Sequence, residues 1–498
     1  MRYLPRDLSA KGFAVCVALV LLGLIAFPCY QFFKTGGYLF WTNGMDEASH
    51  LSFSYANYVL YNSGRMRYSS YLVTLFHNLG LSGGYINLIF DVTCSLATLV
   101  FIKKTFLKFG YLKSQARSGA LLCFLFPLLF TPFNPVVSLL TALHFEPQAM
   151  QWIVMPWNPE MPFIRSPEPQ LSWLILAAVT SIFAGTRALP WILLAVSPLV
   201  YPFVRLPLIF VALTLLGKNG SANTKQLAVR LIGSFLVISL IMVAFLKLGT
   251  DVSLSRFFIF SYLPLIPFSG VLALMLYLVI HECVPASTRP ILITLVASTW
   301  AVANVQCVSG FLVTPVNFEN YWGVAVLGLL TTMGVLHRSD DHRGWVGLGM
   351  FLFAAFSAGT FAFNQSVFTR LDRPREILPL LAETSPRVVC NDLYLATYLD
   401  LVHPRQEPTA FSWTRTLDLS SDAKYETYLC DKKRLISEIP YSQTLFARVL
   451  ETLDAGFLSR GGDMFMSLGR QDLNLFLPRE ISEPMPCSEK EFVVVTSQ

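Results

Sequence analysis

The sequence predicts an α-helical polytopic membrane protein of about eleven transmembrane helices, with a small C-terminal α/β domain outside the membrane. Three observations predict it: a shortage of charge, the confinement of that shortage to one part of the chain, and apolar runs separated by turns that are basic at every second position. Of 498 residues, 54% are hydrophobic and 14% charged, against about 25% charged in an average soluble domain. Residues 365–498 hold 15 Lys/Arg and 19 Asp/Glu, whereas the first 364 hold only 22 and 12. The chain therefore divides into a membrane body, 1–364, and a soluble tail, 365–498. The formal charge of +6 divides into a basic excess in the body and a smaller acidic excess in the tail; the basic excess lies between apolar runs, where topology explains it, so nucleic-acid binding is a poor reading of it.

About 20 apolar residues carry a helix across a bilayer core. Runs of that kind fall at Gly12 to Phe32, Tyr85 to Ile102, Ser118 to Leu143, Leu171 to Thr186, Leu227 to Leu246, Phe257 to Ile280, Pro290 to Val313, Tyr321 to Leu336 and Gly344 to Phe363. The stretch Ala188 to Leu216 is broken by Tyr201, Pro202 and Arg205 and reads as two short helices or one re-entrant hairpin. The count is eleven spans, or nine with a hairpin. Lys and Arg in short loops mark the cytoplasmic side: Arg2, Arg6 and Lys11 precede the first run, Lys103 to Arg117 follow the second, and Lys218, Lys225, Arg230, Arg289, Arg338 and Arg343 fall at later turns of the same parity. The N-terminus is then inside, and the loops after Phe32, Leu143, Leu246 and Val313 and the tail are outside. No small-residue cleavage site follows Pro28, so the first run reads as an uncleaved anchor.

The first outer loop, 33–84, is the longest and contains Trp41-Thr42-Asn43-Gly44-Met45-Asp46-Glu47-Ala48-Ser49-His50. Leu51, Tyr55, Tyr58, Val59 and Asn62 then recur at helical spacing, and Tyr68, Tyr71, Leu72, Leu75 and Phe76 suit a second interfacial helix. Two readings of Asp46 and Glu47 stand side by side. In one, Asn43 caps a helix and the acids favour its positive end. In the other, one carboxylate is a general base toward an acceptor hydroxyl while its neighbour orients it or helps hold a divalent cation. His50 lies one turn further along the same face.

The second outer loop, His144 to Gln170, has six prolines, which preclude a long helix, together with His144, Glu146, Trp152 and Trp157. The indoles offer flat faces for a sugar or headgroup, or form part of an aromatic belt. Arg165 can grip a phosphate with two parallel hydrogen bonds or anchor the following span. Arg256 and Glu319 are candidate wall residues of the remaining outer loops. Asp91, inside the second run, is costly unless it faces the bundle interior.

Six of nine cysteines lie in the spans or at their ends; Cys390, Cys430 and Cys487 are in the exported tail, where one disulfide is plausible and its pairing open. The tail reads as strand Arg387 to Cys390, a helix through Leu401, a helix from Ser442 to Asp454 and strand Phe492 to Thr496. No metal-type Cys/His spacing and no phosphate-cradling glycine loop occurs in the chain.

This arrangement resembles the GT-C superfamily of polytopic membrane glycosyltransferases, which use polyprenyl-phosphate sugars at the outer membrane face. The resemblance rests on the inward N-terminus, the long first outer loop with its acidic pair Asp46-Glu47, about eleven spans and the exported tail; the segment Arg165-Ser166-Pro167-Glu168-Pro169-Gln170 is similar to segments of bacterial members. It implies an integral protein of a bacterial inner membrane that moves a sugar from a polyprenyl-phosphate donor to a glycan, lipid or protein acceptor, in contact with membrane lipids and without nucleic acid. Asp46 carries over as the base, with Glu47 as its reserve. Arg165 and Arg256 would hold the donor phosphate, and His50, His144, Glu146, Trp152, Trp157 and Glu319 would line the substrate site. The acidic pair departs from the Asp-X-Asp form, which leaves magnesium or manganese use open. A polytopic transporter or lipid-linked glycan flippase is the alternative, supported by the interrupted stretch at Ala188 to Leu216.

Overall fold

In the computed structural model, the residues described are 8–35, 75–76, 79–81, 83–130, 264–286, 288–309 and 318–370, with short pieces at 153–154, 259–260, 311–312, 388–390 and 493–495 and single helical residues at 207, 210, 229 and 233. These residues are mostly helical. The main elements are α1 (Ala10–Thr35), α2 (Gly83–Lys108), α3 (Lys113–Phe130), α4 (Phe268–Ile280), α5 (Arg289–Ala303), the short α6 (Gln306–Ser309), a π-helical turn at Glu319–Gly323 that runs into α7 (Val324–Arg338), and α8 (His342–Arg370). Among the described residues one helix, over Ala10–Tyr30, is long and apolar enough to cross a membrane by length and composition; α4 and α5 are apolar but shorter.

The helices pack side by side around an apolar core. α1 lies against α2 and α8, α3 against α2, α7 and α8, and α4 against α5 and α7. Phe106, Phe124, Leu128, Trp322, Leu330 and Met333 are buried at the centre. Their successive ends alternate between two faces of the bundle. At one face, Arg117 of α3 donates through Nε to the Leu8 carbonyl ahead of α1 at 2.9 Å, Tyr111 in the α2–α3 turn is hydrogen-bonded to His337 near the end of α7 at 2.9 Å, and Arg338 donates to the Val279 carbonyl in α4 at 3.3 Å. The α2–α3 turn is made by Gly110 at φ +91°, a conformation costly for any residue with a Cβ. It lets the Tyr111 N–H return to the Phe106 carbonyl at 3.1 Å, in the manner of a Schellman cap. Lys103, Lys104, Lys108, Lys113, Arg289 and Arg343 all sit at or next to this same face.

The expected runs match α1, α2, α7 and α8, and α3 begins before Ser118. Two expectations are corrected. The run Phe257 to Ile280 is not one helix: α4 starts at Phe268, and Ile259–Phe260 and Ile266–Pro267 are short strands before it. Pro264 and Pro267 have no N–H to give a helix. The Leu265 N–H instead reaches the Asn304 side-chain oxygen at 2.6 Å. The run Pro290 to Val313 likewise stops at Ala303, where Asn304 turns the chain, and continues as α6 and a strand at Phe311–Leu312 paired antiparallel to Ile259–Phe260. α8 continues past Asn364, the expected end of the body, to Arg370.

In the tail, Val388–Cys390 and Val493–Val495 form a parallel pair with Cys390 opposite Val495, at the two stretches read as strands. The run at Leu171 to Thr186, the first interfacial helix, the two tail helices and, apart from single residues, the stretches Ala188 to Leu216 and Leu227 to Leu246 lie outside the described residues.

Candidate functional site

Opposite the basic face, the ends of α4, α5 and α7 enclose a cluster of buried polar side chains. Its centre is Glu319, the first residue of the π-turn, with 1% of its surface exposed. Burial this deep favours the neutral carboxyl and pushes its pKa up to about 8, against the opposing pull of the hydrogen bond from Ser269, and a buried polar group still needs a partner. The partner comes from another helix: the Ser269 N–H, in the first turn of α4, donates to Glu319 Oε2 at 2.8 Å. The first N–H groups of a helix have no partner within it, and the helix dipole makes this end positive. α4 has Pro267 at its N-cap, with no side-chain cap of its own. Glu319 thus caps a helix 50 residues away in sequence.

The π-turn makes this contact close. Gly323 lies against Ser269, and a Cβ on it would overlap Ser269 Oγ. One turn along, Trp322 is fully buried and its Nε1–H donates to Ser298 Oγ of α5 at 2.7 Å. The Ser298 hydroxyl in turn donates to the Leu295 carbonyl. Asn304 closes the cluster: beyond accepting from Leu265, its amide donates to the carbonyls of Leu265 and Trp300, each at 2.9 Å. Asn320 is also buried. The arrangement holds one acidic group, buried, against a backbone donor of another helix, and π-turns of this kind are frequent at functional sites.

Of the expected site residues, the structure places Glu319 alone. It lies in a helical turn, already hydrogen-bonded to α4, so a substrate would meet it only by replacing the Ser269 N–H. Asp46, Glu47, His50, His144, Glu146, Trp152, Trp157, Arg165 and Arg256 lie outside the described residues. Among the described residues no three His, Cys, Asp or Glu side chains converge on a possible metal position. Ser269, Ser298, Asn304 and Trp322 were not singled out from sequence. Asn304, a lone amide in an apolar run beyond a proline-rich segment, carried the one signal that could have found them.

A second polar set lies within the bundle. Asp91, Ser95 and Thr98 of α2 are fully buried, and their spacing of four and three residues puts them on one helix face. Asp91 therefore points into protein, as its cost in an apolar run requires.

No protein-family model matches the chain, and no curated protein is significantly similar to it.

Proposed function

We propose that the chain is a polytopic membrane glycosyltransferase of GT-C type that transfers a sugar from a polyprenyl-phosphate donor to an acceptor outside the cytoplasm. The observation that carries this reading is the polarity of the bundle. α1 ends and α2 begins at the face opposite the basic one, so the connection between them, which contains Asp46 and Glu47, leaves and re-enters on that opposite face. With the basic face in the cytoplasm, the chain leaves α1 and returns to α2 on the outer side of the membrane. Exposed apolar stripes on the helices support the membrane reading. Val15, Leu19 and Leu22 of α1 and Leu348, Phe351 and Leu352 of α8 all point outward, an inside-out distribution in water but the expected one in lipid.

In the mechanism, the acceptor oxygen attacks the anomeric carbon of the donor as Asp46 takes its proton. The bond from that carbon to the phosphate oxygen breaks, and polyprenyl phosphate leaves with the electron pair. Arg165, with Arg256, stabilises the charge that develops on the phosphate. Holding both reactants at the interface supplies much of the rate.

Asp46→Asn is expected to abolish sugar transfer in membranes at normal expression, a fall on the order of 100-fold or more for loss of a general base. Full activity would remove the base assignment. A transporter reading draws on the buried Asp91, Ser95 and Thr98 face, and substrate movement that survives Asp46→Asn but stops in Asp91→Asn would favour it.

A further inference from the structure

We propose that the basic face carries a binding site for an anionic phospholipid of the cytoplasmic leaflet, built by the ends of α1 and α2. The proposal rests on the membrane reading above and adds a specific ligand to it.

The exposed stripe of α1 runs Lys11, Val15, Leu19, Leu22, at steps of four, four and three. That of α2 runs Leu96, Val100, Lys104, Lys108, at steps of four. Both stripes are apolar along the helix and become basic at the same end, which is the profile of one phospholipid: acyl chains beside Leu and Val, a phosphate at the ammonium groups. The two helices pack together, and Lys103 joins them, its Nζ lying 5.5 Å from the centre of the Phe13 ring of α1. Lys104 is held likewise, 5.5 Å from the Phe101 ring. Cation–π contacts of this length keep an ammonium near the apolar boundary, where a lipid phosphate lies.

The acids described at this face are elsewhere. Glu282 follows α4, Asp340 and Asp341 follow α7, and Asp341 Oδ1 is occupied by the Gly344 N–H at 3.0 Å. The positive N-terminal end of α1 adds to the field at Lys11. Lysines near an anionic leaflet each contribute a factor of about five to binding, so three give a preference on the order of 100-fold over a zwitterionic lipid at low salt.

Floating the full-length protein with vesicles, then measuring lipid retention in detergent by native mass spectrometry, tests the proposal. The probes are dioleoylphosphatidylglycerol and dioleoylphosphatidylcholine at equal concentration. The protein is expected to float with vesicles of either lipid, to retain phosphatidylglycerol preferentially, and to keep it in millimolar inorganic phosphate. Lys11→Gln/Lys103→Gln/Lys104→Gln should lose most of that preference, and Lys104→Gln alone about fivefold, while Lys113→Gln/Arg343→Gln at the same face should retain it. Equal retention of both lipids, displacement by free phosphate, an unaltered preference in the single and triple variants, or an equal loss in the control would overturn the site. Failure to float with either lipid would overturn the membrane reading itself.

Discussion

The two faces of the helix bundle solve the placement of polar groups in opposite ways. At the basic face, charges are many and mostly exposed: Arg117, Arg289 and Arg338 donate to backbone carbonyls at helix ends, and Lys103 and Lys104 lie against aromatic rings. At the other, polar groups are few and buried, and those that bond do so to partners from neighbouring elements: Glu319 to Ser269, Trp322 to Ser298, Leu265 to Asn304. Water supports the first arrangement and would tolerate its loss. Nothing but the protein supports the second, because a buried donor stripped of its acceptor keeps the full cost of desolvation. Substitutions at the second face should therefore damage the fold, and those at the first should alter interactions while leaving stability near its starting point.

The largest effect is expected from Gly323→Ala. Its methyl would occupy the position of Ser269 Oγ, and overpacking of this kind costs about 1–3 kcal/mol; thermal unfolding in detergent should show a clear fall in Tm, and Gly323→Ser a larger one. Asn304→Ala comes next, at about 2 kcal/mol, since it strands the Leu265 N–H and removes two further bonds. An unchanged Tm in either variant would break the contrast between the faces. Glu319→Gln keeps an oxygen for Ser269 and should cost only about 1 kcal/mol, whereas Glu319→Ala should cost more. Should Glu319→Gln lower the Tm as far as Glu319→Ala, the hydrogen bond from the Ser269 N–H is not what holds the junction.

The smallest effect belongs to the basic face. Burial lowers the His337 imidazole below its ordinary value, and burial, followed by a smaller contribution from Cys283, raises the Tyr111 phenol. Neutral partners suit the bond between the Tyr111 hydroxyl and His337 Nε2. A histidine depressed in the folded state contributes stability that is complete above its unfolded pKa and is lost as pH falls toward the folded one. A modest decline in Tm below about pH 6.5 is expected, abolished in His337→Gln. The imidazole is only partly buried, so solvent screening keeps the change small.

Much of this architecture is legible in the sequence, and the failures have a common cause. Apolar length finds α1, α2, α7 and α8, and the Val-rich stretches at 388–390 and 493–495 read directly as strands. Hydropathy does not register that Pro264 and Pro267 remove donors, or that Asn304 can replace a backbone partner, so two apolar runs that look like single spans are each broken. Its place beside an outer loop, after Val313, marks Glu319 as a candidate. Its partner could not be read in the same way, since Ser269 is one serine among many and the pairing exists only once α4 and the π-turn meet. Burial of Asp91 was legible from the cost of a charge in an apolar run.

The central claim is that the basic face lies in the cytoplasm and the acidic pair of the first long connection lies outside. Labelling of single cysteines in intact cells with a membrane-impermeant maleimide tests it most directly, each in a background with every other cysteine replaced by serine. The account predicts that Ser49→Cys, beside Asp46 and Glu47, is labelled at once, and that Cys283, exposed in the turn after α4, is labelled only after permeabilisation. Labelling of both sites in intact cells, or of Cys283 alone, would contradict it.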